Sequence, residues 1–205
     1  MSTSEQLPDS EETIAGYAYA VPLEEPSPLT LADLRRLEAA AGLAAEDDRL
    51  LRVAGEVLAP HAGEMVDTFR AILRGHPHLA AYAAHPDGTP NPEYGAASRP
   101  RFARWIVDVC TRPRDQAWLD AQHEIGRRHT TAAKNRTDGA DSPPSIPLRY
   151  VLAFLGPTLE TTRGFLARGG HAPEEVARMH AAWSKAVILH VTVWSRAYLG
   201  LPDEW

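Results

Sequence analysis

Residues 118–129 read WLDAQHEIGRRH, and this stretch decides how the rest of the chain is interpreted. At 3.6 residues per turn, one face of a helix here would carry Trp118, Gln122, Ile125 and His129. A histidine at the end of such a stripe has two interpretations. It is either an imidazole at the edge of the core, bonded to a backbone carbonyl, or a ligand for a metal or flat cofactor that packs beneath the helix. The stripe alone leaves both open.

The same stretch excludes a zinc hydrolase of the His-Glu-x-x-His type. His123 and Glu124 begin that motif, but its second histidine would have to stand at position 127, which is Arg127. His123 and His129 are also about 240° apart around a helix, so they cannot bind one metal ion together. We therefore expect His123 at the surface or edge of the domain, and His129 is the candidate ligand.

The composition excludes several classes of partner. The 205 residues carry 21 basic and 27 acidic side chains, a net charge of −6, without a clustered basic face for nucleic acid. The N-terminus is polar and acidic, which is not typical of a signal peptide. No stretch reaches the ~18 consecutive apolar residues expected of a membrane span. We expect a cytoplasmic protein without nucleic-acid or membrane partners.

Apolar residues recur at helical spacing along the whole chain, which predicts an all-α fold. We expect a disordered tail over 1–13 and a single domain over 14–205, beginning with an extended segment over 14–28. Pro100 is expected to interrupt one of the helices. Helices are predicted over about 31–41, 45–58, 61–75, 92–111, 113–134, 146–168 and 173–199.

The last of these helices contains the run AVILHVTVW at 186–194, which is apolar on nearly every side. A helix of this kind must be buried on every side. Either it passes through the middle of the domain, or a second subunit covers its outer face.

An ordered series of short segments resembles one known family. The series, from about residue 14 to the C-terminus, is similar to the protoglobins, single-domain haem globins related to the sensor domains of globin-coupled sensors. The segments are HPHL (76–79), PDG (86–88), RFARWI (101–106), DQAWLD (115–120), IG with His129 three residues on (125–129), KNRTDG (134–139), IPLRY with AF (146–154) and GH before EEV (170–176).

The resemblance implies a globin-like helical sandwich with an extra N-terminal segment and helix. It also implies haem b whose iron is bound by His129, through the family's Ile-Gly-x-x-His pattern. The haem would be non-covalent, because Cys110 is the only cysteine and the attachment motif is missing. Gly126 is expected to let the porphyrin approach the helix. The ligand must be neutral, with its other ring nitrogen donating to a backbone carbonyl.

The activity implied is reversible binding of O2, CO and NO at the open sixth position of the iron. The family also implies a homodimer packed through the last two helices. Because no further domain follows the globin-like region, no fused signalling output is expected.

The opposite haem face departs from the family. Phe69, Phe102 and Phe154 match its aromatic wall, but Arg70 replaces a tyrosine that is placed to donate to bound dioxygen. Arg70 could reach the bound ligand, pair with a haem propionate or extend into solvent. Arg101 is a candidate propionate partner, and Ile125 is a further candidate cofactor contact.

Two further departures, Gly95 and Pro100, lie in the predicted helix over 92–111. In a helix interior, glycine costs about 1 kcal/mol and proline about 3 kcal/mol relative to alanine. Together with Arg70 and Ser98, these two residues indicate a loosened distal pocket. Either natural drift or deliberate evolution of the pocket for larger reagents would produce these departures from the family. The alternative function is therefore a haem enzyme with peroxidase-like or carbene or nitrene transfer activity, in which Arg70 is the candidate catalytic residue. A third hypothesis is a haem-free helical interaction module, which would be colourless.

Overall fold

The computed structural model describes residues 14–17 and 25–205. The predicted tail over 1–13, and part of the segment over 14–28, lie outside these residues. Within them the structure holds no named strand, only two isolated β-bridges, and the all-α prediction is confirmed. The α-helices are α1 (Leu31–Ala40), α2 (Ala45–Leu58), α3 (Ala62–Arg74), α4 (Pro77–Ala80), α5 (Pro92–Thr111), α6 (Gln116–Arg127), α7 (Leu148–Ala153), α8 (Leu155–Leu166) and α9 (Pro173–Ser195).

Side-chain caps fix where three of these helices begin. The Thr30 hydroxyl accepts from the Asp33 amide, and the Asp33 carboxylate accepts in return from the Thr30 amide, which together form a capping box at the start of α1. Asn91 accepts from the third amide of α5 in the same way, and Asp115 from that of α6. Each cap satisfies a backbone N–H that has no partner inside the helix.

The predicted interruption at Pro100 is wrong, because α5 runs through it. Proline removes one backbone donor and crowds the preceding turn. In that turn, side chains supply donors of their own: Ser98 Oγ donates to the Tyr94 carbonyl at 2.7 Å, and Arg70 donates to the Gly95 carbonyl at 2.7 Å. These bonds join the side chains of Ser98 and Arg70 to the backbone of the turn that precedes the proline.

The helix predicted over 113–134 is also too long, since α6 ends at Arg127 and His129 lies in the turn that follows. There the His129 amide donates to the Gly126 carbonyl at 3.0 Å, three residues back, and the Thr130 hydroxyl donates to the Arg127 carbonyl at 2.8 Å. Bonds to the third residue back tighten the last turn and end the helix. The helix predicted over 146–168 is likewise divided at Phe154, and α9 ends four residues earlier than the predicted end at 199.

Helix α9 lies at the centre of the domain, against α2, α5, α6 and α8. Its run 186–194 is buried except at Ile188 and Thr192. Most of the run therefore belongs to the core, and Ile188, with 43% of its surface exposed, marks the side that faces outward.

Helices α6 and α9 cross in direct backbone contact. A Cβ atom placed on Gly126 would lie 2.7 Å from the carbonyl oxygen of Trp194 and 2.8 Å from its Cα. Beside this crossing, α1 covers a smaller apolar cluster that contains Leu34 and Trp118. The crossing places the turn that carries His129 against the C-terminal part of α9. Among the described helices, none has the length and apolar character needed to cross a membrane.

Candidate functional site

The imidazole of His129 is held in one tautomer by the helix that precedes it. Its Nδ1 lies 2.8 Å from the carbonyl oxygen of Ile125, so Nδ1 carries the proton and donates it there. Within the described residues, Nε2 has no hydrogen-bond partner. Burial lowers the pKa of His129, and the charge of Lys134 lowers it further, against the effect of the bond to Ile125. The predicted hydrogen bond is confirmed, and it leaves a neutral ring with a free lone pair at Nε2.

The plane of this ring is set by Trp194 of α9. The two rings stack at an interplanar angle of 19°, with centroids 5.3 Å apart. The indole is fixed in turn, because its Nε1–H donates to Oε1 of the buried Gln122 at 2.9 Å. The expectation that Gly126 makes room for a porphyrin is wrong, because the space that its missing side chain leaves is filled by the backbone of Trp194. Gly126 acts on the site through the crossing of the helices.

The three phenylalanines predicted for the distal wall are brought together. Phe69 is fully buried. It stacks on Phe102 with ring centroids 5.6 Å apart and meets Phe154 edge-on at 6.3 Å. Ile125 is half-buried and packs against the same core cluster. The cluster is therefore built from α3, α5 and the break between α7 and α8.

Arg70 is half-buried and does not extend freely into solvent, which was one of the three positions expected for it. Its Nη1 donates to the Gly95 carbonyl at 2.7 Å, and its Nη2 donates to Ser98 Oγ at 2.8 Å. Burial lowers the pKa of Arg70, although the guanidinium stays charged. Both terminal nitrogens are thus bonded to α5. The side chain therefore joins α3 to α5.

Arg101, the candidate propionate partner, forms a two-point ion pair with Asp138 at 2.9 and 2.5 Å. It also donates to the carbonyl of Ala15 at 3.1 Å, and Arg128 donates to the carbonyl of Gly16. Gly16 has a φ of +73°, which favours glycine, and a side chain there would collide with Thr137. These contacts fasten residues 14–17 over the loop that follows His129.

The expectation that His123 lies at the surface or edge is wrong. Its side chain is buried, and within the described residues neither ring nitrogen has a hydrogen-bond partner. Burial lowers the pKa of His123 and so favours the neutral ring. A neutral imidazole costs far less to bury than a charged one.

A buried lysine beside the site was not singled out from the sequence. Nζ of Lys134 donates to the Pro143 carbonyl at 2.6 Å, to Ser142 Oγ at 2.7 Å and to Asn135 Oδ1 at 3.3 Å. Burial lowers its pKa to about 8. Its three acceptors use all three ammonium protons. The KNRTDG segment that contributed to the family resemblance therefore contains a structural cation.

A second histidine lies at the centre of the core behind Trp194. His190 is buried, and its Nδ1 lies 3.1 Å from the indole Nε1 of Trp105 and 2.9 Å from Oε1 of Gln122. The first contact requires an unprotonated Nδ1 and the second a protonated one, so the tautomer of the ring decides which hydrogen bond forms. The amide of Gln122 lies within 2.9 Å of both His190 and Trp194. His190 is therefore a buried polar group of the core.

The burial of His190 predicts sensitivity to acid. Burial lowers its pKa to about 3 from an ordinary value of 6.5, and the charge of Arg114 acts in the same direction. Between these values the unfolded chain binds the proton and the folded chain does not, so stability falls as the pH drops from 6.5 towards 3. The contribution of this one group is at most about 1.4 kcal/mol per pH unit. We expect His190→Met to be less stable at pH 7 but to lose less stability on acidification, as measured by urea unfolding at several pH values.

His76→Met is the control for this experiment, because the exposed His76 lies outside the buried network. A His190→Met curve that runs parallel to the wild-type curve down to pH 4 would contradict the prediction.

Comparisons with known proteins identify a family and a similar fold. A family model described as Protoglobin matches residues 30–200. The globin domain of the Geobacter sulfurreducens globin-coupled sensor has a similar fold, with a TM-score of 0.56 and 16% sequence identity over 80% of this chain and 96% of that domain. A search of curated proteins finds no match.

Proposed function

The chain belongs to the protoglobin family, and on this basis we propose that it is a cytoplasmic protein that binds haem b through His129 and holds diatomic gases reversibly. The observation that carries the proposal is the state of the His129 ring. Its Nδ1 is committed to the Ile125 carbonyl, and its Nε2 is neutral and without a partner among the described residues. This is the donor that a globin offers to haem iron.

The surrounding residues fit a large apolar cofactor. Trp194 stacks on the imidazole and fixes its orientation from behind. The cluster of Phe69, Phe102 and Phe154 supplies an apolar surface that excludes water. When bound, haem would supply an iron whose sixth position takes up O2, CO or NO.

The contacts of Arg70 do not support a catalytic role for its guanidinium group. A distal arginine that activates a bound reagent must direct its N–H groups at the iron. The terminal nitrogens of Arg70 instead donate to Gly95 and Ser98 on α5. No observation supports the alternative in which Arg70 is a catalytic residue.

The test is titration of the purified chain with hemin. We expect saturation at one haem per chain with a strong Soret band, a five-coordinate spectrum after reduction, and reversible complexes with CO, NO and O2. Loading with imidazole-saturated hemin is a useful comparison, because excess imidazole competes for the same coordination position. A chain that leaves the hemin spectrum unchanged would contradict the proposal.

We further propose a homodimer that is packed through α8 and α9. The family resemblance implies it, and the outward side of α9 supports it. Ile188 lies in an otherwise buried apolar run and keeps 43% of its surface exposed. Covering an apolar side chain of this size is worth about 1–2 kcal/mol in each subunit.

A charge at this position should separate the subunits. We expect Ile188→Glu to halve the mass measured by sedimentation equilibrium, because a carboxylate buried in an apolar interface is strongly unfavourable. Leu31→Glu on α1 is a matched control, since Leu31 is also 43% exposed but lies outside α8 and α9. Equal masses for Ile188→Glu, Leu31→Glu and the wild type would rule out this interface.

A further inference from the structure

Three tryptophans form a continuous aromatic path that begins at His129. The ring of Trp194 stacks on His129 at a centroid distance of 5.3 Å, Trp105 lies 5.5 Å from Trp194, and Trp183 lies 6.4 Å from Trp105. All three indoles are buried. We call Trp194, Trp105 and Trp183 the indole path.

These separations are those of rings in contact, at which an electron moves quickly between neighbouring side chains. Indole is among the amino-acid side chains that lose an electron most easily. Burial also keeps solvent and dissolved reductants away from an oxidised ring. The path therefore couples the candidate iron ligand to side chains that can supply an electron.

The indoles of the path differ in their surroundings. The Nε1–H of Trp194 donates to an amide oxygen, Gln122 Oε1. The ring of Trp105 contacts the rings of Phe102, Trp183 and Trp194. Trp105 therefore lies where the aromatic contacts of the core converge.

We propose that the indole path is a redox site, in which Trp194 transmits and Trp105 supplies an electron when a peroxide is reduced at the haem. This inference rests on the proposed haem binding. It adds a reaction in which the chain's own side chains are oxidised, and so goes beyond reversible gas binding.

The electrons and atoms balance as follows. The O–O bond of hydrogen peroxide breaks, and the peroxide takes two electrons, of which bound haem would supply one and Trp105, by way of Trp194, would supply the other. One oxygen leaves as water, and Trp105 is left as an indole radical cation. A one-electron reductant such as ascorbate then delivers two electrons in two steps. One of them restores Trp105, and the other, with two protons, allows the second oxygen to leave as water.

The experiment is electron paramagnetic resonance of the ferric, haem-loaded protein, frozen within seconds of adding hydrogen peroxide. We expect an organic radical whose hyperfine structure changes when the protein is grown with ring-deuterated tryptophan, which identifies an indole without any mutation. The signal should be lost in Trp105→Phe and strongly reduced in Trp194→Phe. Trp205→Phe is the matched control, because Trp205 is 60% exposed and lies outside the path.

A radical that does not respond to ring deuteration, or one that survives in both Trp105→Phe and Trp194→Phe, overturns the inference. So does the absence of any protein radical in a sample whose Soret band shows that haem is bound. In these cases the proposed haem binding stands. A chain that binds no haem overturns both proposals, and the absorption spectrum distinguishes the two outcomes.

Discussion

His129→Ala is expected to remove the axial ligand of the haem and to weaken haem binding more than about 100-fold. Loss of an outer hydrogen-bond partner of a metal ligand already costs 10–100-fold, and this change removes the ligand itself. The ferrous variant should lack the iron–histidine stretching band in resonance Raman spectra. Its Soret maximum should shift, while circular dichroism should keep the helical signal, because His129 lies in the turn beyond α6 and makes no helix-to-helix bond.

Added imidazole gives this experiment an internal control. Alanine leaves a space of imidazole size beneath Trp194, so free imidazole should restore the axial bond in His129→Ala. His76→Ala, a change at an exposed histidine, should behave like the wild type. Unchanged iron coordination in His129→Ala would transfer the ligand role to another histidine, with His123 the next to be replaced.

Helix positions and the clustering of the three phenylalanines followed from patterns in the sequence. The capping arrangement of Thr30 and Asp33, the start of α2 at Ala45 and the clustering of the three phenylalanines were all predictable. Each depends on residues that are close in the chain, or on motifs that stand in a recognisable order. Patterns of this kind carry the period of a helix and the chemistry of its ends.

The contacts that decide the geometry of the site were not predictable in this way. The partner of Gln122 is Trp194, 72 residues away, and the partner of Arg70 is Gly95, 25 residues away. In each pair, the sequence around one residue does not indicate which distant residue will be its partner. The end of α6 was missed for a related reason, because the stripe through His129 continues in phase even after the backbone tightens into a turn.

The role of Gly126 was misinterpreted from its neighbours in the sequence. Its position one turn before His129 suggested close approach of a flat cofactor, and any small residue next to a ligand invites that interpretation. The structure assigns the space to the backbone of α9. The requirement for glycine is therefore set by the crossing of two helices, and it would hold even in the absence of haem.

Gly126→Ala should consequently destabilise the fold and disturb the site together. The new Cβ would lie 2.7 and 2.8 Å from backbone atoms of Trp194, and backbone atoms cannot turn aside as the end of a flexible side chain can. Overpacking of this kind typically costs about 1–3 kcal/mol, more than the ~1 kcal/mol that alanine gains over glycine inside a helix. Urea unfolding of the haem-free chain should show the loss. Haem titration should show weaker binding, because α6 must move away from the indole that orients His129.

Gly95→Ala separates this effect from the general consequence of replacing a helical glycine. At Gly95 an added Cβ would meet only Arg70 Nη1, at an ordinary contact distance of 3.9 Å. We expect this variant to be about 0.5–1 kcal/mol more stable than the wild type, since it removes backbone freedom from the unfolded chain. The two alanine variants should therefore change stability in opposite directions. If Gly126→Ala proved as stable as Gly95→Ala and bound haem normally, the close crossing of α6 and α9 would not be what places Trp194 against His129.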